Sequence, residues 1–388
     1  MEKNHVSSAA RALFYLISCE LEGKVPERTE LLSAESVYSL AKYNGLGAIV
    51  ASSLKRVGLA TEEMFTHLNA SIRKTLLFNA ARAEISKKLS ERGIWHLPLK
   101  GVILQELYPS LGLRQMSDND LLFDPTRRDD VRKVMTSLGY TVDSFGSGCH
   151  DVYLKEPVYN FEMHVALFAE TESRLFTDYF KEYYGKTLPT AENTYLRTLK
   201  DEDLYLYVKA HEYKHYSSGG TGPRALVDTY LFLRSKGAGM NKDYLSHELS
   251  ALGIADYERE VSALAEKLLS PDGALAYYLG ELYLTEREER MLSYFLGSGT
   301  YGNLTNKINN ELDKLNSKGE SGAKGKYVLS RLFPPMEWYK VNAPFYYKHK
   351  ILIPFYVIAR LFKKVLLAPR KAFNELRRVI NAKKDKNK

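Results

Sequence analysis

The sequence predicts an α+β protein in which a small mixed-sheet domain is inserted between helical regions. Between residues 91 and 185 the runs IWHLPL, DNDLLF, DVYLKE and VYNFEMHVAL are rich in β-formers. VILQELY and TRRDDVRKVMTSLGY separate them with helical spacing. The resulting order is strand, helix, strand, helix, strand, strand, which calls for a small α/β layer. On either side, apolar residues recur at three- and four-residue steps, as in ARALFYLISCEL and DLYLYVKAHEYKH.

The elements follow in order. ESVYSLAKYNGLGAIVASSLKRVG continues the N-terminal helices, with Ser33 and Ser36 as candidate caps. Val131, Val134, Met135 and Leu138 mark one face of a helix that Gly139 ends. Pro157 interrupts the last two β-rich runs and suggests a hairpin. Helices resume at Asp201 and continue to about Gly297, broken by the glycine-rich SSGGTG at 217–222. From Gly297 to Lys326, Gly, Asn, Ser and Lys dominate, which predicts an exposed linker. This divides the chain into a helical region (1–90), the α/β core (91–185), a helical domain (186–330) and a basic helical tail (331–388). In the tail, Phe355, Ile358, Phe362 and Val365 form an apolar stripe beside Arg360, Lys363 and Lys364. Packing of that stripe against the body is the favoured expectation; an anionic membrane surface or an acidic partner is the alternative. The final NAKKDKNK is expected to be disordered.

At 388 residues with 45% hydrophobic content, the chain can bury more than one core. The start, MEKNHVSSAARALFYLI, lacks a secretory pattern, and no run reaches the roughly 18 apolar residues of a membrane span, so a cytoplasmic protein is expected. Cys19 and Cys149 are far apart without CxxC spacing and are read as reduced packing residues. The net charge of +8 is unevenly placed. Residues 340–388 carry 14 Lys and Arg against Glu375 and Asp385, a balance of +12, which leaves −4 for the rest. A nucleic-acid groove over the folded body is therefore not expected, and any polyanion contact belongs to the tail.

The chemistry concentrates in LPLKGVILQELYPSLGLRQMSDNDLLFD, Leu97 to Asp124. Asp118 and Asp120 stand at i, i+2 on a predicted strand, where alternate side chains share a face, so both can reach a divalent cation with hard oxygen ligands. The Lys100-Gly101 turn leads from a strand into a helix, where free N–H groups and the positive helix end can meet phosphate; Lys100 and Arg114 supply charge there. A rival motif is His211-Glu212-Tyr213-Lys214-His215, a literal H-E-x-x-H that reads as a zinc peptidase helix. No third histidine or downstream glutamate completes it, and an amphipathic helix with Leu204, Tyr207, Val208 and His211 inward is the plainer reading.

Gly93-Ile94, Leu99-Lys100-Gly101, Leu104, Tyr108-Pro109, Arg114, Asp118-Asn119-Asp120-Leu121-Leu122, Leu138-Gly139-Tyr140 and Glu162-Met163-His164 together resemble the uncharacterised nucleotidyltransferase family of the polymerase-β-like superfamily. The resemblance covers most of residues 35–235. It implies a minimal nucleotidyltransferase fold, two Mg²⁺ ions on strand-borne carboxylates and an NTP substrate. Two metals about 3.5–4 Å apart suit attack on an α-phosphate with departure of pyrophosphate. Asp118 and Asp120 are the expected ligands. Glu162 fits as a third carboxylate that helps deprotonate the acceptor, and His164 shares its strand face. The resemblance also places His215, Arg224 and Asp228, with His164, on the acceptor side. This chain departs from the superfamily in having Gly101-Val102 where Gly-Ser or Gly-Gly is usual, and Asn119 where an apolar residue is commoner. A metal-dependent glycosyltransferase and an inactive binding module are weaker alternatives. The expectation is an enzyme that moves NMP from an NTP to a hydroxyl on a small molecule, sugar or protein.

Overall fold

The computed structural model describes residues 7–27, 29, 32–169, 173–300, 302–317, 322–367, 373 and 377–380. The described residues fall into two compact units, one within 7–213 and 222–300, the other within 214–221 and 302–380.

The larger unit starts with four helices, α1 (Ser8–Leu21), α2 (Ala34–Tyr43), α3 (Gly47–Arg56) and α4 (Glu62–Glu91). Ser7 and Thr61 accept backbone N–H bonds at the starts of α1 and α4, which satisfies donors that no helical carbonyl can reach. Ser33 occupies the N-cap position of α2, and Ser36 lies within that helix.

A five-stranded sheet follows: β1 (His96–Pro98), β2 (Asn119–Phe123), β3 (Thr141–Ser144), β4 (His150–Lys155) and β5 (Tyr159–His164). Its order is β1-β2-β5-β4-β3. β2 and β5 run parallel, and every other pairing is antiparallel. Between β1 and β2 stands α5 (Gly101–Leu104), and between β2 and β3 stands α6 (Arg128–Ser137).

The pleat sorts these strands into two faces. Leu121, Phe123, Tyr153, Phe161 and Met163 join Ile85 and Leu89 of α4 and Val131, Val134 and Met135 of α6 in one core. Leu97, Leu99 and Leu122 face the other way, into a core shared with α7 (Arg174–Phe180), α8 (Asp201–Tyr216), α9 (Arg224–Lys236) and α10 (Lys242–Ala251). β2 is buried along its whole length because both faces are covered. Helices α11 (Ala255–Leu269), α12 (Pro271–Leu279) and α13 (Glu286–Ser298) complete this unit.

In the second unit, α14 (Leu304–Ser317) and α15 (Ala323–Leu332) pack around Ile308, Leu312, Tyr327 and Val379. It continues with α16 (Met336–Asn342), α17 (Pro344–Lys348) and α18 (Ile353–Leu367).

Four sequence expectations need correction. The linker predicted over 297–326 contains α14, because Leu304, Ile308, Leu312 and Leu315 recur every four, four and three residues beneath a polar composition. VILQELY forms only the single turn α5 and a 3₁₀ turn, Gln105–Leu107. The edge strand β3 went unread since TVDS carries little apolar signal. Finally, Phe355, Ile358 and Phe362 are exposed, and among the described side chains of α18 Val357 is the buried one, so those three do not form a packed stripe. Val365 has no described side chain, and NAKKDKNK lies outside the described residues.

Phe161 has no exposed surface and meets Tyr140 at 5.5 Å and Phe78 at 6.3 Å between ring centroids. Phe161→Ala is expected to destabilise the fold by about 3–5 kcal/mol, read as a lower urea midpoint at unchanged slope.

Candidate active site

The parallel register sets Asp120 opposite Glu162 and Leu122 opposite His164. Asp120, Glu162 and His164 therefore lie on the face of the sheet that also carries Leu122, turned away from Phe161 and Met163. His164 Nε2 is 2.8 Å from Asp120 Oδ1 and 3.6 Å from Glu162 Oε2. Lys100 Nζ donates to the same Asp120 oxygen at 3.1 Å. Ligand atoms of Asp120, Glu162 and His164 all fall within 4.8 Å of one another. Asp118 stands just before β2 and feels the charges of Asp120 and Glu162.

These charges shift one another. Burial drives the Asp118 carboxyl upward, and the negative charges of Asp120 and Glu162 add to that rise. Burial opposes ionisation of Asp120 too, yet Lys100 and His164 hold its carboxyl well below the usual range. His164 loses solvation, but its hydrogen bond to Asp120 and the proximity of Cys149 and Glu162 raise it to about 10. His164 lowers Glu162 in return.

The Lys100 turn is strained. With φ 45° and ψ −114°, Lys100 is the one non-glycine residue of positive φ among the described residues. Backbone bonds close the turn: Leu99 N–H donates to Asp120 O at 3.0 Å and Ile103 N–H to Lys100 O at 3.0 Å. Next to it, a Cβ on Gly101 would come within 2.6 Å of Arg114 Nη1, so a larger residue there would have to displace a guanidinium that Asp228 holds.

Arg114 is committed elsewhere. Its Nε and Nη2 grip Asp228 of α9 at 2.9 and 2.8 Å, and Tyr108 O–H donates to Asp228 at 2.8 Å, all buried. Arg224 donates to Gln115 O at 2.9 Å. Asp228 is thus brought to Arg114 and Tyr108, while His215 belongs to the Lys214–Thr221 segment of the second unit.

The H-E-x-x-H segment forms part of α8. Glu212 Oε1 accepts from Lys209 Nζ at 2.8 Å and from Tyr257 O–H at 2.7 Å, and Lys209 also donates to Thr229 at 2.8 Å. Among the described residues, the clusters able to hold a metal are Asp120–Glu162–His164 and Cys149–His150–His164, and neither contains His211 or His215.

The sequence reading gave His150 no role and took Cys149 and Tyr207 for packing residues. His150 pairs with His164 across β4 and β5, a register that nothing local in the sequence specifies. Tyr207 lies fully buried on α8, where the charges of Lys100 and Asp120 act on its phenol and burial drives its proton affinity up. Its helical spacing reads simply as core.

Residues 32–270, more than half of the chain, match the family described as uncharacterised nucleotidyltransferase. The chain belongs to that family. It is accordingly an enzyme that transfers phosphorus-containing groups by nucleotidyl transfer, built on an α+β fold with a small mixed sheet among helices. No curated protein and no solved structure matches the chain.

The Arg114 guanidinium, with Tyr108, outweighs burial and lowers Asp228. Asp228 binds its proton less tightly folded than unfolded, so it stabilises the protein above the ordinary carboxylate value near 3.9, and that gain is lost as pH falls through the lower folded value. Asp228→Asn, which leaves Arg114 buried without a counter-charge, should cost about 3–5 kcal/mol at neutral pH. The gap from wild type should narrow on acidification, as measured by urea unfolding across pH.

Proposed function

We propose that this nucleotidyltransferase uses Mg²⁺ to move NMP from an NTP to an acceptor hydroxyl, with Asp118, Asp120 and Glu162 as the acidic centre. The observation that carries this reading is the parallel register that sets Glu162 beside Asp120, with Asp118 two residues upstream. The donors fit such an ion. The set is dominated by carboxylate oxygens, which suit a hard cation, and the Asp118 carboxyl is pushed up first by burial and then by the negative charges of Asp120 and Glu162, which Lys100 only partly opposes.

When bound, the metal would neutralise charge on the α-phosphate and on the departing pyrophosphate. The acceptor oxygen forms a bond to the α-phosphorus as the bond to the bridging oxygen breaks, and pyrophosphate leaves. Glu162, kept ionised by His164 and partly open to solvent, takes the hydroxyl proton. Lys100, now on Asp120, supplies an ammonium that can turn to the triphosphate. With α5 a single turn, its dipole adds little, and phosphate recognition rests on side chains. Arg114 and Asp228 act by holding the Gly101 turn in place.

Each NTP, titrated by calorimetry with and without Mg²⁺, should show one preferred nucleotide that binds only with metal. Asp118→Ala with Asp120→Ala should abolish that binding. Turnover should release pyrophosphate and fall by about a hundredfold or more in Glu162→Gln, with the preferred NTP still bound. Metal-independent binding, or release of inorganic phosphate in place of pyrophosphate, would overturn the reading.

We further propose that the tail docks on an anionic lipid surface. Ile351, Phe355, Ile358, Phe362 and Leu366 are all more than half exposed and follow four-, three-, four- and four-residue steps, one apolar stripe on a segment of charge +12. No helix among the described residues is long and apolar enough to cross a membrane. The full chain should co-sediment with phosphatidylglycerol-containing vesicles and not with pure phosphatidylcholine. Phe355→Ser with Phe362→Ser should release it, and so should high salt. Equal binding to both vesicles, or to neither, would refute this docking.

A further inference from the structure

Beside the acidic centre lies a second group of ligands of different chemistry. Cys149 directly precedes β4, His150 opens it, and His150 pairs with His164 across the antiparallel ladder to β5. Cross-strand partners of this kind project to one face. Their imidazole centroids are 4.9 Å apart. The backbone fixes the cysteine: Cys149 O accepts N–H bonds from Val165 at 2.8 Å and from Ala166 at 3.3 Å. His150 presents Nε2 toward Glu162 Oε2, at 3.8 Å, and Nδ1 toward Cys149 Sγ, at 3.5 Å. Ligand atoms of Cys149, His150 and His164 all lie within 4.8 Å of one another.

We propose that Cys149, His150 and His164 form a thiolate–imidazole site for a borderline divalent cation such as Zn²⁺. Tetrahedral zinc with Zn–S about 2.3 Å and Zn–N about 2.0–2.1 Å places its sulfur and nitrogen ligands roughly 3.5–3.6 Å apart, the separation already present between Cys149 and His150. A second observation is independent of that distance. His164 Nε2 is engaged by Asp120, whereas its Nδ1, on a side chain only 4% exposed, is sealed from solvent without a hydrogen-bond partner of sound geometry. A cation held with Cys149 would displace the Nδ1 proton and take the freed lone pair, which gives that buried ring nitrogen a partner. Sulfur sets the selectivity. Thiolate and imidazole ligands favour zinc-like ions, and oxygen ligands favour Mg²⁺, so two adjoining sites can hold different ions. Three protein ligands leave the fourth position of such an ion open to water or a solute.

Cobalt is the probe. The metal-free full-length protein, titrated with Co²⁺ in excess Mg²⁺, should develop a sulfur-to-cobalt charge-transfer band in the near ultraviolet. The band should saturate at one equivalent and be erased by one equivalent of Zn²⁺. Cys149→Ser should remove it, and His150→Ala should weaken Co²⁺ binding beyond the roughly 10- to 100-fold cost of losing an outer partner. Cys19→Ser and Asp118→Asn should leave the band intact. Circular dichroism reads folding in parallel, and His150→Ala decides if Cys149→Ser does not fold. Cobalt bound without the band, or a band that survives Cys149→Ser and disappears in Cys19→Ser, would overturn the site.

Discussion

The parallel pairing of β2 with β5 is the constraint on which the rest depends. A strand slipped by one residue turns its whole side-chain set over, so the register that buries Leu121 and Phe123 against α4 and α6 necessarily presents Asp120 to the opposite face. Phe161 and Met163 do the same for Glu162 and His164. Hydrophobic burial thus sets Asp120 and Glu162 on one face of the sheet. The polar contacts act afterwards. Lys100 and His164 meet on Asp120 and keep it ionised in a setting where burial alone would neutralise it.

The sequence pointed to Asp118 and Asp120 by their i, i+2 spacing and to Glu162 by the family resemblance; in the fold Asp120 and Glu162 are register partners on β2 and β5, and Asp118 lies one residue ahead of β2. Arg114 was a different matter. It was read as a charge for phosphate, yet its counter-ion is Asp228, more than a hundred residues away on α9. Pairing over that distance is a product of tertiary packing and leaves no local trace.

His150 and α14 illustrate two other losses of information. His150 becomes meaningful only through its antiparallel partner His164, and a hairpin's register cannot be read from composition. In α14, four apolar residues among Asn, Lys and Glu suffice for a helix, because one narrow stripe is all that a peripheral helix needs to bury. The H-E-x-x-H segment shows the opposite error, a pattern richer in suggestion than in structure. Its glutamate is spent on Lys209 and Tyr257, buried partners that a helical wheel does not reveal.

Lys100 bears a final consequence. Its backbone adopts a conformation that glycine enters freely and that any residue with a Cβ resists, at a penalty of order 1–3 kcal/mol. Glycine there would make a sturdier protein without an ammonium group over the acidic strand. Retaining lysine accepts a weaker turn in exchange for a cation held at a fixed point, so durability and charge placement are in direct opposition at this one residue.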